Sequence, residues 1–144
     1  MSQSTYQVRF DWGSAGADAV GADADAVVWV SQLLQTPGPA GAVAGSLERA
    51  AELGAWALQQ QQAVGGRFRI AVVAAGAPRA DGSLRFAVED LLAAGAVVDA
   101  IAEVGIDHQS PEAAAAAAAY TGLRTATRHL ISASETSRES RSAG

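Results

Sequence analysis

Hydrophobic and polar positions first alternate over residues 6–10, with Tyr6, Val8 and Phe10 on one side and Gln7 and Arg9 on the other. A two-residue period is that of a half-buried strand. Trp12-Gly13-Ser14 breaks the pattern, and Ser14 suits the N-cap of a short alanine-rich helix over 15–20. A valine-rich run over 26–30, bounded by Asp25 and Ser31, has the continuous apolar character of a parallel strand covered on both faces. The stretch 35–41 carries Pro37, Gly38, Pro39 and Gly41 and reads as part of a loop over 35–45.

Further along, Ser46 suits the cap of a helix over 47–62, with Leu47, Ala51, Gly54 and Leu58 on one face and Gly65-Gly66 as its stop. A third strand is expected over 69–74, ending at Ala75-Gly76. Ser83 then suits the cap of a helix over 84–103, in which Leu84, Val88, Leu91, Gly95 and Val98 recur at three- and four-residue steps. Val88, Leu91, Val98 and Ile101 are expected to face the sheet, and Arg85 and Glu89 to face away from it. Ser110-Pro111-Glu112 combines a capping serine, a proline suited to the first helical position and a dipole-favoured acid, so a helix should run from there to about residue 130. Residues 132–144 are almost all Ser, Glu, Arg, Thr, Gly or Ala, and read as a mobile, disordered tail because little apolar burial offsets the ordering entropy.

This order of elements predicts an α/β fold: a small layered sheet of about three or more strands with flanking helices, in a single domain over 1–131. So narrow a sheet leaves exposed strand edges, which suit pairing across a homo-oligomer. The chain is 49% hydrophobic but only 6% aromatic, and alanine supplies much of the former, so the core should be thin and closely spaced.

The net charge of −5 and the lack of a basic run argue against binding nucleic acid, which needs Lys and Arg to displace counterions from phosphates. No run approaches the roughly 18 apolar residues of a membrane span. Residues 1–10 lack the pattern of a secretory leader, so a cytoplasmic location is expected. With no cysteine there is no disulfide, thiolate metal site or thiol nucleophile.

Candidate chemistry then rests on carboxylates. His108 and His129 each stand without a second ligand at metal spacing, and Asp18, Asp23 and Asp25 lack the glycine and terminal glutamate of a calcium loop. Asp11 follows the first strand, where an aspartate either faces a site or bonds nearby backbone amides. Glu89 and Asp90 sit early in the strongest helix, as site carboxylates or as solvated dipole-favoured acids with Arg85 pairing to Glu89 one turn on.

Three segments together resemble one family. Val8-Arg9-Phe10-Asp11-Trp12-Gly13 with Ala24-Asp25 and the valine run is similar to the start of the 2-phosphosulfolactate phosphatases, and Gly45-Ser46-Leu47-Glu48-Arg49-Ala50 to their glycine-serine helix start. The third match is Ala74-Ala75-Gly76 with Asp81-Gly82-Ser83-Leu84-Arg85 and Val88-Glu89-Asp90-Leu91-Leu92-Ala93-Ala94-Gly95-Ala96. The resemblance implies the fold of that family and magnesium-dependent hydrolysis of a small anionic phosphate monoester, 2-phospho-3-sulfolactate, to 3-sulfolactate and phosphate. It implies Asp11, Glu89 and Asp90 as catalytic and magnesium-binding residues, and Gly76, Ser83 and Arg85 as substrate-binding. It also exposes two departures: Ser31 stands where the family carries an aspartate, and the central phosphate-handling loops are shortened. The alternative is a non-catalytic shortened relative that binds an anion or forms an oligomer.

Overall fold

The computed structural model describes residues 2–143. Four parallel strands, β1 (Val8–Trp12), β2 (Ala26–Val30), β3 (Val43–Gly45) and β4 (Ile70–Ala74), form one sheet in the order β1-β4-β2-β3. β4 inserts between the first two, with Val8 opposite Ile70 on one side and Ala26 opposite Ile70 on the other. The α/β layering expected from the sequence is therefore present, with one more strand than its periodicity shows. Strand β3 is three residues long, too short to display a period, and lies at the end of the expected 35–45 loop.

The sheet is covered on both faces. Helix α1 (Gly13–Gly21) lies on one, where Ala17 and Val20 pack with Trp29, Ala71, Val73 and Ala75. Helices α2 (Ala50–Val64), α3 (Val88–Glu103) and α4 (Pro111–Gly122) belong to the other, whose core includes Val8, Phe10, Val28, Val30, Ile70, Val72 and Ala74. This cover overturns the half-buried reading of the first strand: Arg9 is 0% exposed, its guanidinium donating to the Val20 carbonyl of α1, and Gln7 is 6% exposed, its side-chain amide donating to the Phe68 carbonyl and to Gln61 of α2.

The α-helical layer is packed by small residues. A Cβ on Gly95 would lie 2.1 Å from the carbonyl oxygen of Ala116, so α3 and α4 approach nearly backbone to backbone. The alanine-rich composition is thus used for close helix approach.

Several boundaries differ from the sequence reading. Strand β1 ends at Trp12 rather than Phe10, and α1 follows with no side-chain cap, Ser14 lying inside it. Helix α2 starts at Ala50, three residues beyond the expected start, although Ser46 Oγ does accept the Arg49 amide N–H at 3.2 Å.

The larger correction concerns Ser83. Its hydroxyl and amide both bond Asp81 Oδ1, at 2.6 and 3.0 Å, within the turn of a two-stranded antiparallel hairpin, β5 (Ala77–Pro78) and β6 (Leu84–Arg85). Helix α3 begins only at Val88, after an extended Ala87. Gly76, at φ +71°, makes the turn from β4 into this hairpin, a conformation glycine adopts without steric cost.

The Ser110 cap is as expected, its Oγ accepting the Ala113 N–H at 3.0 Å, but α4 ends at Gly122 and a 3-10 turn (Arg124–Ala126) leads to α5 (Thr127–Ser132). Instead of a disordered tail, residues Glu135–Ala143 form helix α6, with Ser134 and Thr136 buried. Among the described residues no helix is long and apolar enough to cross a membrane.

Candidate functional site

Where adjacent parallel strands send their following helices to opposite faces, their carboxyl ends leave a crevice that binds ligands in many open α/β sheets. Strands β1 and β4 meet this condition, since α1 and α3 lie on opposite faces. A cleft of about 530 Å³ opens there, lined by Trp12 to Ala15, Trp29, Thr36, Pro37, Ala75 to Pro78 and Gly82 to Leu84. Among the described residues no charged side chain lines it.

Asp90 is the most specifically held acid of this region. Its Oδ1 accepts the Gln32 amide N–H at 2.8 Å and its Oδ2 the Gly76 amide N–H at 2.9 Å, so one carboxylate ties the end of β2 to the end of β4. It is 3% exposed, and burial pushes its pKa up to about 7 with help from the neighbouring Glu89 charge, against the lowering effect of the two amide bonds. Glu89 is 2% exposed and its Oε1 has no hydrogen-bond partner among the described residues. Neither is a solvated surface acid, and Glu89 does not face outward as the helical pattern suggested.

Asp11 lies elsewhere. It projects from the α1 face of β1, against Gly16, and its Oδ1 accepts the Trp12 N–H at 2.7 Å, the local role open to a strand-end aspartate. The expected trio of Asp11, Glu89 and Asp90 therefore does not converge. Among the described residues no three His, Cys, Asp or Glu side chains gather as a metal-ligand set. The carboxylates present do not fit the magnesium that the family resemblance implies.

Of the expected substrate-binding residues, Gly76 and Ser83 line the cleft, but the Gly76 N–H is taken by Asp90 and the Ser83 hydroxyl by Asp81. The bond from Ser83 in turn holds the exposed Asp81 carboxyl below its usual range. Arg85 is turned away onto α6, with its guanidinium 2.8 Å from Glu135, 2.7 Å from Glu139 and 3.1 Å from Thr136 Oγ1. It does not pair with Glu89.

Ser31 accepts the Thr36 N–H at 2.9 Å and so closes the turn after β2, one residue before the amide that Asp90 holds. A second cleft of about 340 Å³ lies beside it, with Ser31, Gln32, Gln35, Thr36, Ser46 and Arg49 in its wall. Sequence reasoning missed Gln32, whose side chain also bridges Leu47 N–H and the Glu48 carboxylate. Nothing in the spacing of residues 32, 47, 48, 76 and 90 marks them as neighbours. No family model matches the chain, and no curated protein or solved structure is found similar to it.

Proposed function

We propose that this chain is a shortened relative of the 2-phosphosulfolactate phosphatases, a phosphate-monoester hydrolase whose turnover is slow. The observation that carries the reading is Asp90: a buried carboxyl at the carboxyl ends of two parallel strands, with a pKa of about 7, one backbone unit behind a ligand-sized cleft. A group that titrates near neutral pH both gives and takes protons readily. As water attacks phosphorus and the P–O bond to the ester oxygen breaks, the Asp90 proton, relayed by a water at Gly76, would pass to the departing oxygen, and the proton released by the attacking water would return by the same relay to the Asp90 carboxylate. The cost to rate is that both Asp90 oxygens are engaged by amides and, among the described residues, no cationic side chain lines the cleft to balance phosphate charge.

The non-catalytic reading, a binder of small anions, is favoured by one observation. Ser31 closes a turn at the position where the family resemblance expects a carboxylate, and Asp11 lies on the opposite sheet face, so the donor set that would activate water is dispersed.

Phosphate release from 2-phospho-3-sulfolactate by the purified chain, by Asp90→Asn and by Ser31→Asp, each with and without magnesium, separates the two. Slow release by the native chain that is lost in Asp90→Asn supports the hydrolase. Calorimetric binding of the ester without release supports the binder, and release indifferent to Asp90→Asn overturns the role given to Asp90. Ser31→Asp should tighten magnesium binding without restoring a fast rate, because positioning supplies much of such catalysis.

A further inference from the structure

The hairpin β5–β6 forms one wall of the cleft, yet it is too small to hold itself. Its ladder consists of two residue pairs, Ala77 with Arg85 and Pro78 with Leu84, and Pro78 has no amide hydrogen to donate. An isolated two-stranded hairpin is marginal in water even when longer. Its shape therefore depends on what holds it from either side.

On the inner side Leu84 lies against Gly13 and Gly76, close enough that a Cβ on Gly13 would come within 2.6 Å of Leu84 Cδ1. On the outer side the next residue, Arg85, meets α6. Its Nε contacts Glu135 at 2.8 Å, and its Nη2 contacts Glu139 at 2.7 Å and Thr136 Oγ1 at 3.1 Å, with the arginine side chain 13% exposed. Helix α6 has no apolar anchor there: its sequence ETSRESRSA offers no large apolar residue, Thr136 alone in it is buried, and its other tie is Arg141, which donates to the Ser132 carbonyl at the end of α5 at 3.1 Å rather than to the hairpin.

We propose that α6 is an electrostatic strap, which grips Arg85 to pin the β5–β6 hairpin as the wall of the cleft and releases that wall when the grip is lost. Successive residues of β6 point opposite ways, so one short strand connects α6 on the outside to the cleft on the inside. Glu135 and Glu139 are 56% and 65% exposed, which leaves the grip open to screening by salt and to competition from other anions. The strap is independent of whether the cleft takes a phosphate ester.

Amide hydrogen exchange on the full chain tests it. The probe is the Arg79 N–H, which donates to the Ser83 carbonyl at 2.8 Å across the hairpin, and the control is the Val97 N–H in the middle of buried α3. In Glu135→Gln/Glu139→Gln, and in the native chain at about 1 M salt, where the screening length is about 3 Å, Arg79 should exchange about tenfold faster while Val97 is unchanged. Salt should add nothing further in the double variant. Acrylamide quenching of tryptophan fluorescence should rise in parallel, because Trp12 and Trp29 line the cleft. Unchanged exchange at Arg79 in both variant and salt overturns the strap. So does equal acceleration at Val97, which would mean general loosening of the fold.

Discussion

Asp90 has a measurable consequence for stability. Its folded pKa of about 7 lies above the roughly 3.9 of an unfolded aspartate. Between these values the native state holds a proton that the unfolded chain has released, so stability is greatest at the acid end of the window and declines as pH rises towards 7. Three units would correspond to roughly 4 kcal/mol at most. Urea denaturation between pH 4 and 7 should show this decline in the native chain and a much flatter profile in Asp90→Asn. In Glu89→Gln the Asp90 midpoint, followed by carboxyl-carbon NMR, should move down because the repelling charge is gone. An acidic pair at the start of a helix was visible in the sequence. That the pair is buried was not, since the dipole preference for acids at helix starts explains the same residues without burial.

For the elements, close approach is the governing feature. Gly95→Ala would drive a methyl into the Ala116 carbonyl, and rigid backbone on both sides leaves it little room. A loss of about 2–3 kcal/mol is expected, read from the urea midpoint. The face of α3 gives a second check. Leu92 is 0% exposed, as are Val98 and Ile101, whereas Val88 and Leu91, which the three- and four-residue steps placed on the buried face, are only half-buried. Leu92→Ala should therefore cost about 2–5 kcal/mol and Leu91→Ala clearly less. The pattern misled because its first member, Leu84, belongs to a hairpin strand, and because α3 packs against sheet and helices on several sides, which widens the apolar face beyond one stripe.

The whole molecule is tied together by Arg9. It is fully buried, donates to the carbonyls of Ser4, Tyr6 and Val20, and pairs with Asp23, joining the N-terminal segment, β1 and the end of α1. Arg9→Met should cost about 3 kcal/mol or more by urea denaturation, because it strands buried carbonyls and leaves Asp23 without its cation. Local pattern determined a good deal: that 26–30 and, but for its first residue Arg69, 69–74 are apolar strands, that Ser110-Pro111-Glu112 opens a helix, and that the whole is α/β. Those features are set by contacts within a few residues, which a linear sequence displays. Tertiary structure alone decided that β4 enters between β1 and β2, that Arg9 lies inside, that Asp90 clasps two strand ends while Asp11 faces the other way, and that the polar C-terminal segment folds onto Arg85. Each of these depends on which surfaces meet across tens of residues, and such pairing leaves no periodic trace in the chain.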